Sequence, residues 1–153
     1  MEETGAPVGG NVRMDHVGLS VADLAAAEDF YRRALGFAPE FPFELPFDGV
    51  RGVMMLHPSG LRLELFERPG ATPGIQGRDP REALATHGYG HFALTAAAID
   101  PLYEELLAAG GRGVKEPGPS PEPGIRMAFV ADPEGNLVEL VERGAPAAPE
   151  GAS

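Results

Sequence analysis

The sequence predicts an α+β fold: two βαβββ modules in tandem, forming a curved mixed-sheet half-barrel with a cavity. Three observations lead there. The chain repeats itself, since LRLELFER at 61–68 and NLVELVER at 136–143 share the pattern x-x-x-E-L-x-E-R at an offset of 75 residues. The same offset lays MDHVGLSV (14–21) on YGHFALTA (89–96), so His16 falls on His91, and 48 residues separate each histidine from the glutamate of its own half, Glu64 or Glu139. Finally, each half reads as strand, helix, then further strands.

In the first half, Asp15–Val21 alternates apolar and polar residues and is rich in β-formers, which predicts a strand. Asp23 caps a helix whose apolar stripe is Leu24, Ala27, Tyr31 and Leu35, with Gly36 as its stop. An irregular strand is expected within 38–46. Arg51–Leu56 and Leu61–Glu67 follow as a pair, joined by the turn His57-Pro-Ser-Gly60. In the second half the strand is Gly90–Thr95. Asp100 is the expected cap, Pro101 the first helical residue, Leu102, Leu106 and Ala109 the stripe, and Gly110–Gly111 the stop. A strand is expected near 112–116, a Pro-rich loop at 117–124, and a pair at Arg126–Ala131 and Leu137–Glu142. The predicted organisation is therefore a module at 11–67, a linker at 68–87, a module at 88–143, and an Ala/Pro/Gly-rich tail at 144–153 expected to be disordered.

Composition narrows the function. Among 153 residues, 43% apolar content is enough for one core, and 21 Gly with 16 Pro predict short elements and many loops. Twelve basic against 23 acidic residues give a net charge of −11, which argues against nucleic acid and anionic membrane as partners. The absence of cysteine excludes disulfides, thiolate metal sites and a cysteine nucleophile. Met1–Gly10 lacks a basic and apolar leader pattern, and no apolar run reaches membrane-span length, so a soluble cytoplasmic protein is expected.

Strand alternation sorts the polar residues by face. If Leu61, Leu63 and Leu65 face the helix, then Arg62, Glu64 and Phe66 face away. By the same rule Val138 and Leu140 face the helix, and Leu137, Glu139 and Val141 do not. His16 and His91 lie opposite Val17, Leu19, Phe92 and Leu94. Two histidines and two carboxylates thus project from the helix-free side of their sheets, a mixed N/O donor set suited to Ni, Zn, Fe, Mn or Co. Glu139, with Glu64 as its symmetric counterpart, is the candidate base. Arg62, on the Glu64 face, could hold an anionic substrate group or pair with Glu64. Tyr89 shares the face of His91 and could donate a hydrogen bond to a bound oxygen. Phe66, Met54 and Phe129 are candidates for apolar wall. His57 and His87 are expected in an exposed turn and loop.

The stretches MDHVGLSVADLAAAEDFYRRALGF (14–37), GLRLELFE (60–67), YGHFALTAAAIDPLYEELLAAGG (89–111) and MAFVADPEGNLVELVE (127–142) resemble the vicinal oxygen chelate superfamily, which includes glyoxalase I, epimerases, extradiol dioxygenases and bleomycin-resistance proteins. The resemblance implies His16, Glu64, His91 and Glu139 as ligands of a divalent metal, a pattern most similar to bacterial glyoxalase I. It implies an isomerase or lyase that chelates two neighbouring oxygens of a small-molecule substrate and moves a proton through an enediolate. The alternatives it leaves are an Fe(II) dioxygenase and an antibiotic-binding resistance protein. Family members pair their modules within a chain or between chains, and a homodimer is expected. The loop 38–49 carries none of the basic residues expected to contact a glutathione adduct.

Overall fold

The computed structural model describes residues 12–74 and 79–144. The predicted tail, apart from Gly144, and the first residue of the predicted first module lie outside this range. Eleven elements follow in order: β1 (His16–Ser20), α1 (Leu24–Leu35), β2 (Ala38–Glu44), β3 (Arg51–Leu56), β4 (Arg62–Glu67), α2 (Pro80–Ala83), β5 (Phe92–Thr95), α3 (Ile99–Ala108), β6 (Arg112–Pro119), β7 (Arg126–Ala131) and β8 (Leu137–Glu142). They form two four-stranded mixed sheets of the same topology, ordered β1-β4-β3-β2 and β5-β8-β7-β6. In each, the first strand runs parallel to the last and the other pairs are antiparallel. The sheets are separate and do not close into a barrel.

Helix α1 follows the sequence rules closely. The Asp23 carboxylate accepts from the Ala26 amide at 2.9 Å, and Gly36 ends the helix with φ 73°, a left-handed turn in which Gly36 N–H donates to the Arg32 carbonyl. Its buried face is Ala27, Phe30, Tyr31 and Ala34, with Leu24 and Leu35 packed at the margin.

Helix α3 departs from expectation. It begins at Ile99, after Ala98, and no side chain of its own caps it. Asp100 lies inside the first turn and is turned outward to the Arg126 guanidinium, while the buried face is Ile99, Tyr103 and Leu106. The cap comes from β8, where Glu142 accepts from the Ile99 amide at 2.9 Å. The first module does the same: Glu67 of β4 accepts from the Leu24 amide at 3.2 Å and pairs with Arg51, as Glu142 pairs with Arg126. The second glutamate of the repeated x-x-x-E-L-x-E-R motif therefore ties a strand end to a helix start, where a carboxylate also meets the helix dipole favourably.

Two further differences concern loops. Residues 117–119, expected in a Pro-rich loop, extend β6; an edge strand admits proline because its outward N–H needs no partner. Within the linker, Asp79 accepts from the Glu82 amide at 2.8 Å and starts the short helix α2, with Pro80 in its first turn.

The helix-facing residues of both sheets share one core with both helices. Val53, Met55, Leu63 and Leu65 meet Phe30 and Tyr31, and Ala128, Val130, Val138 and Leu140 meet Ile99, Tyr103 and Leu106 in the same cluster. Each fully buried leucine there contributes about 1.5–3 kcal/mol. Polar contacts also join the modules. The Tyr31 hydroxyl donates to Asp132 at 2.7 Å, and Glu134 accepts from the Ala22 and Asp23 amides at 3.1 Å each. Among the described residues, no helix is long and apolar enough to cross a membrane.

Candidate metal centre

Each module brings one histidine, at or just before its first strand, to the glutamate of its last strand: His16 opens β1 and His91 immediately precedes β5. In β4, Leu63 and Leu65 are buried and Glu64 and Phe66 point the other way; in β8, Val138 and Leu140 are fully buried beneath α3 and Glu139 is half-buried. The register sets Gly18 and Met54 beside Glu64, and Ala93 and Phe129 beside Glu139. Gly18 and Ala93 are small, which leaves the carboxylates approachable; a Cβ at Gly18 would stand 3.7 Å from Glu64 Oε2.

His16 Nε2 lies 3.0 Å from Glu64 Oε2, and His91 Nε2 lies 3.0 Å from Glu139 Oε2. The two modules thus build the same pair independently. The pairs fit a divalent metal. Nitrogen and oxygen ligands each about 2.1 Å from an ion, at right angles to one another, are themselves about 3.0 Å apart. Imidazole and carboxylate are also the donors that first-row divalent ions accept. Among the described residues, no group of three or more His, Asp or Glu stands ready to hold an ion.

The surroundings of the two histidines differ. His16 Nδ1 is 2.7 Å from Asp15 Oδ2. That hydrogen bond, with the nearby Glu64 carboxylate, raises the His16 pKa above its ordinary value, while the same bond and the Arg62 charge lower that of Asp15. His91 instead stands edge-on to Phe129, ring centres 5.2 Å apart.

The other predicted residues are placed as follows. Arg62 is engaged by Glu40 through two hydrogen bonds of 2.9 Å, not by Glu64. Met54 and Phe129 are buried and flank the glutamates. Phe66 packs edge-on to Phe43 at 5.5 Å, and Phe43 lies tilted against Phe41 at 6.3 Å, an aromatic wall beside Glu64. Tyr89 is fully exposed and, with His16 and His91, lines an open groove of about 690 Å³ between the two modules. His87 is exposed, but His57 is half-buried, against Phe37 and bonded to Ser59, because its ring closes the β3–β4 turn.

Sequence reasoning passed over Asp15, Glu40 and the capping pair Glu67 and Glu142. The last two stood in the repeat itself, and the same offset carries Arg51 onto Arg126, so their joint recurrence was a usable signal. Asp15 and Glu40 recur nowhere and act by side-chain reach, which periodicity does not report.

A tandem βαβββ chain with a His–Glu pair on each sheet defines a class, and the comparisons give it a family. Residues 13–140 match the model of the Glyoxalase/Bleomycin resistance protein/Dioxygenase superfamily, and the chain belongs to that superfamily. It is 30% identical over 137 residues to a lactoylglutathione lyase of Arabidopsis thaliana, covering 88% of this chain but 45% of that one. Against a probable lactoylglutathione lyase of Vibrio cholerae it is 30% identical over 139 residues, covering 86% of this chain and 91% of the relative. Among solved structures, a glyoxalase family protein from Bacillus cereus superposes with a TM-score of 0.71 at 23% identity, covering 95% and 100% of the two chains.

Proposed function

We propose that this chain is a metal-dependent lyase or isomerase of glyoxalase type, with His16, Glu64, His91 and Glu139 as its ligands. The observation that carries this reading is the duplicated His–Glu pair, both pairs at the same 3.0 Å spacing at equivalent positions of the repeat. The relatives named lactoylglutathione lyase support lyase chemistry over the dioxygenase and drug-sequestering alternatives. The substrate class is a thiol hemiacetal of a 2-oxoaldehyde, converted to a 2-hydroxyacyl thioester.

A divalent ion held by these side chains would bind two neighbouring substrate oxygens and make the adjoining carbon acidic. Glu139 takes that proton and returns it to the next carbon, with Glu64 facing the substrate from the other side. Phe66, Met54 and Phe129 wall the site against water, and Tyr89 offers a hydroxyl at its rim.

Among the described residues the four side chains do not form one ready-made ligand group, which favours a site shared between two copies. His16 and Glu64 of one copy would meet His91 and Glu139 of the other. The exposed Met14 and Tyr89, each two residues from a ligand histidine, support an interface there.

The test is elemental analysis of protein purified without added metal. The reading expects a bound divalent ion whose content falls sharply in both His16→Ala and His91→Ala. Unchanged stoichiometry in the two variants would refute the four-ligand site. Oxygen consumption, or tight binding of an unaltered ligand after chelation, would move the assignment to one of the alternatives.

A further inference from the structure

We infer that Asp15 is a positioning residue that makes the first His–Glu pair the stronger metal holder, so that the two halves of the site are chemically unlike. The inference rests on the metal-centre reading above and concerns its symmetry.

Imidazole has two nitrogens, and a hydrogen bond at one decides which lone pair the other presents. Asp15 Oδ2 accepts from His16 Nδ1 at 2.7 Å, which keeps the hydrogen on Nδ1 and leaves Nε2 as the donor. Nε2 is the atom that faces Glu64 Oε2 at 3.0 Å. A carboxylate behind a ligand histidine fixes ring orientation and makes the ligating nitrogen a better donor. The repeat offset sets Gly90 at the place of Asp15, and glycine has no side chain to give. Its counterpart histidine rests instead on the edge of Phe129, in the position that Met54 holds in the first module. An aromatic contact limits ring tilt but does not choose between the two nitrogens. The first pair therefore anchors the ion, and the second pair, which contains Glu139, holds it more loosely. That division suits a carboxylate that must exchange contact with the ion for a proton from substrate.

Zinc affinity, measured by competition with a chromogenic chelator, tests this in the full chain. Asp15 is exposed, so its replacement leaves the core untouched. Asp15→Ala should weaken zinc binding about 10- to 100-fold. Asp15→Asn, whose side-chain carbonyl still accepts from Nδ1, should recover part of the loss. The nitrogen-15 spectrum of the zinc-loaded protein should show two unlike ligand histidines, and in Asp15→Ala the His16 Nδ1 signal should move toward that of His91. Asp15→Ala binding zinc as tightly as the parent would overturn the inference while leaving the metal centre standing. So would a loss of affinity matched by a fall in the metal-free melting temperature, which would make Asp15 structural. A parent protein that binds no zinc would overturn the metal-centre reading itself.

Discussion

Glu64 and Glu67 stand three residues apart on one strand and face opposite ways. The odd spacing sends Glu64 to the side of His16 and Glu67 to the start of α1, and Glu139 and Glu142 repeat the division. Replacements should separate the two roles. Glu139→Gln keeps a carbonyl oxygen for the metal but has no basicity at neutral pH. Substrate incubated with it in deuterated water should take up no deuterium, although metal is retained; full exchange would refute Glu139 as the base. Tyr31 and Asp132 give a second residue-scale test. The phenol is fully buried against the carboxylate, and burial, first, then the Asp132 charge push its pKa well above the usual tyrosine range. A folded-state value above the unfolded one stabilises the fold below pH 10, and that stability is lost as the pH rises through and beyond 10. Tyr31→Phe should cost about 1.5–3 kcal/mol at neutral pH, since it removes a hydrogen bond to a buried charged group. It should also flatten the alkaline fall in melting temperature. Parallel falls in parent and variant would contradict this.

At the scale of elements, the first sheet depends on one bare position. A Cβ on Gly52 would come within 2.7 Å of the Leu65 carbonyl and 2.4 Å of the Phe43 ring, so β2 and its aromatic wall lie directly over that glycine. Gly52→Ala should destabilise the fold by about 1–3 kcal/mol, read from the urea midpoint. An unchanged midpoint would show that Phe43 gives way freely. Much of this architecture was legible in advance. The alternation of β4 and β8, the Asp23 and Gly36 boundaries of α1, and the repeat offset are periodic or chemical signals that sequence carries directly. The start of α3 was misread because Asp100-Pro101 resembles a cap, whereas the acceptor for Ile99 comes from Glu142, 43 residues away. β6 was cut short because prolines argue against strands unless the strand is known to lie at an edge. α2 spans only four residues and shows no period, although Asp79-Pro80 was a readable start signal. The His–Glu pairs were legible from the repeat, but the partners of Arg62 and His16 depend on reach between neighbouring side chains rather than on spacing.

At the scale of the molecule, both helices share a core, and the Tyr31–Asp132 and Glu134 contacts fasten the turn of one module to the helix of the other. This packing sets the two modules against each other, with His16 and His91 lining one groove between them. The repeat reports equivalence between modules but not their mutual placement, so it names the four side chains without saying whether they meet within one chain or between two copies. The measurement that tests the central claim most directly is complementation between two inactive chains. One variant carries His16→Ala with Glu64→Ala, the other His91→Ala with Glu139→Ala. Each alone should bind no metal. Refolded together in equal amounts, they should form mixed dimers in which one intact pair from each chain meets, restoring about a quarter of the parent's metal content. Metal content in the mixture no higher than in either variant alone would contradict a site shared between two copies.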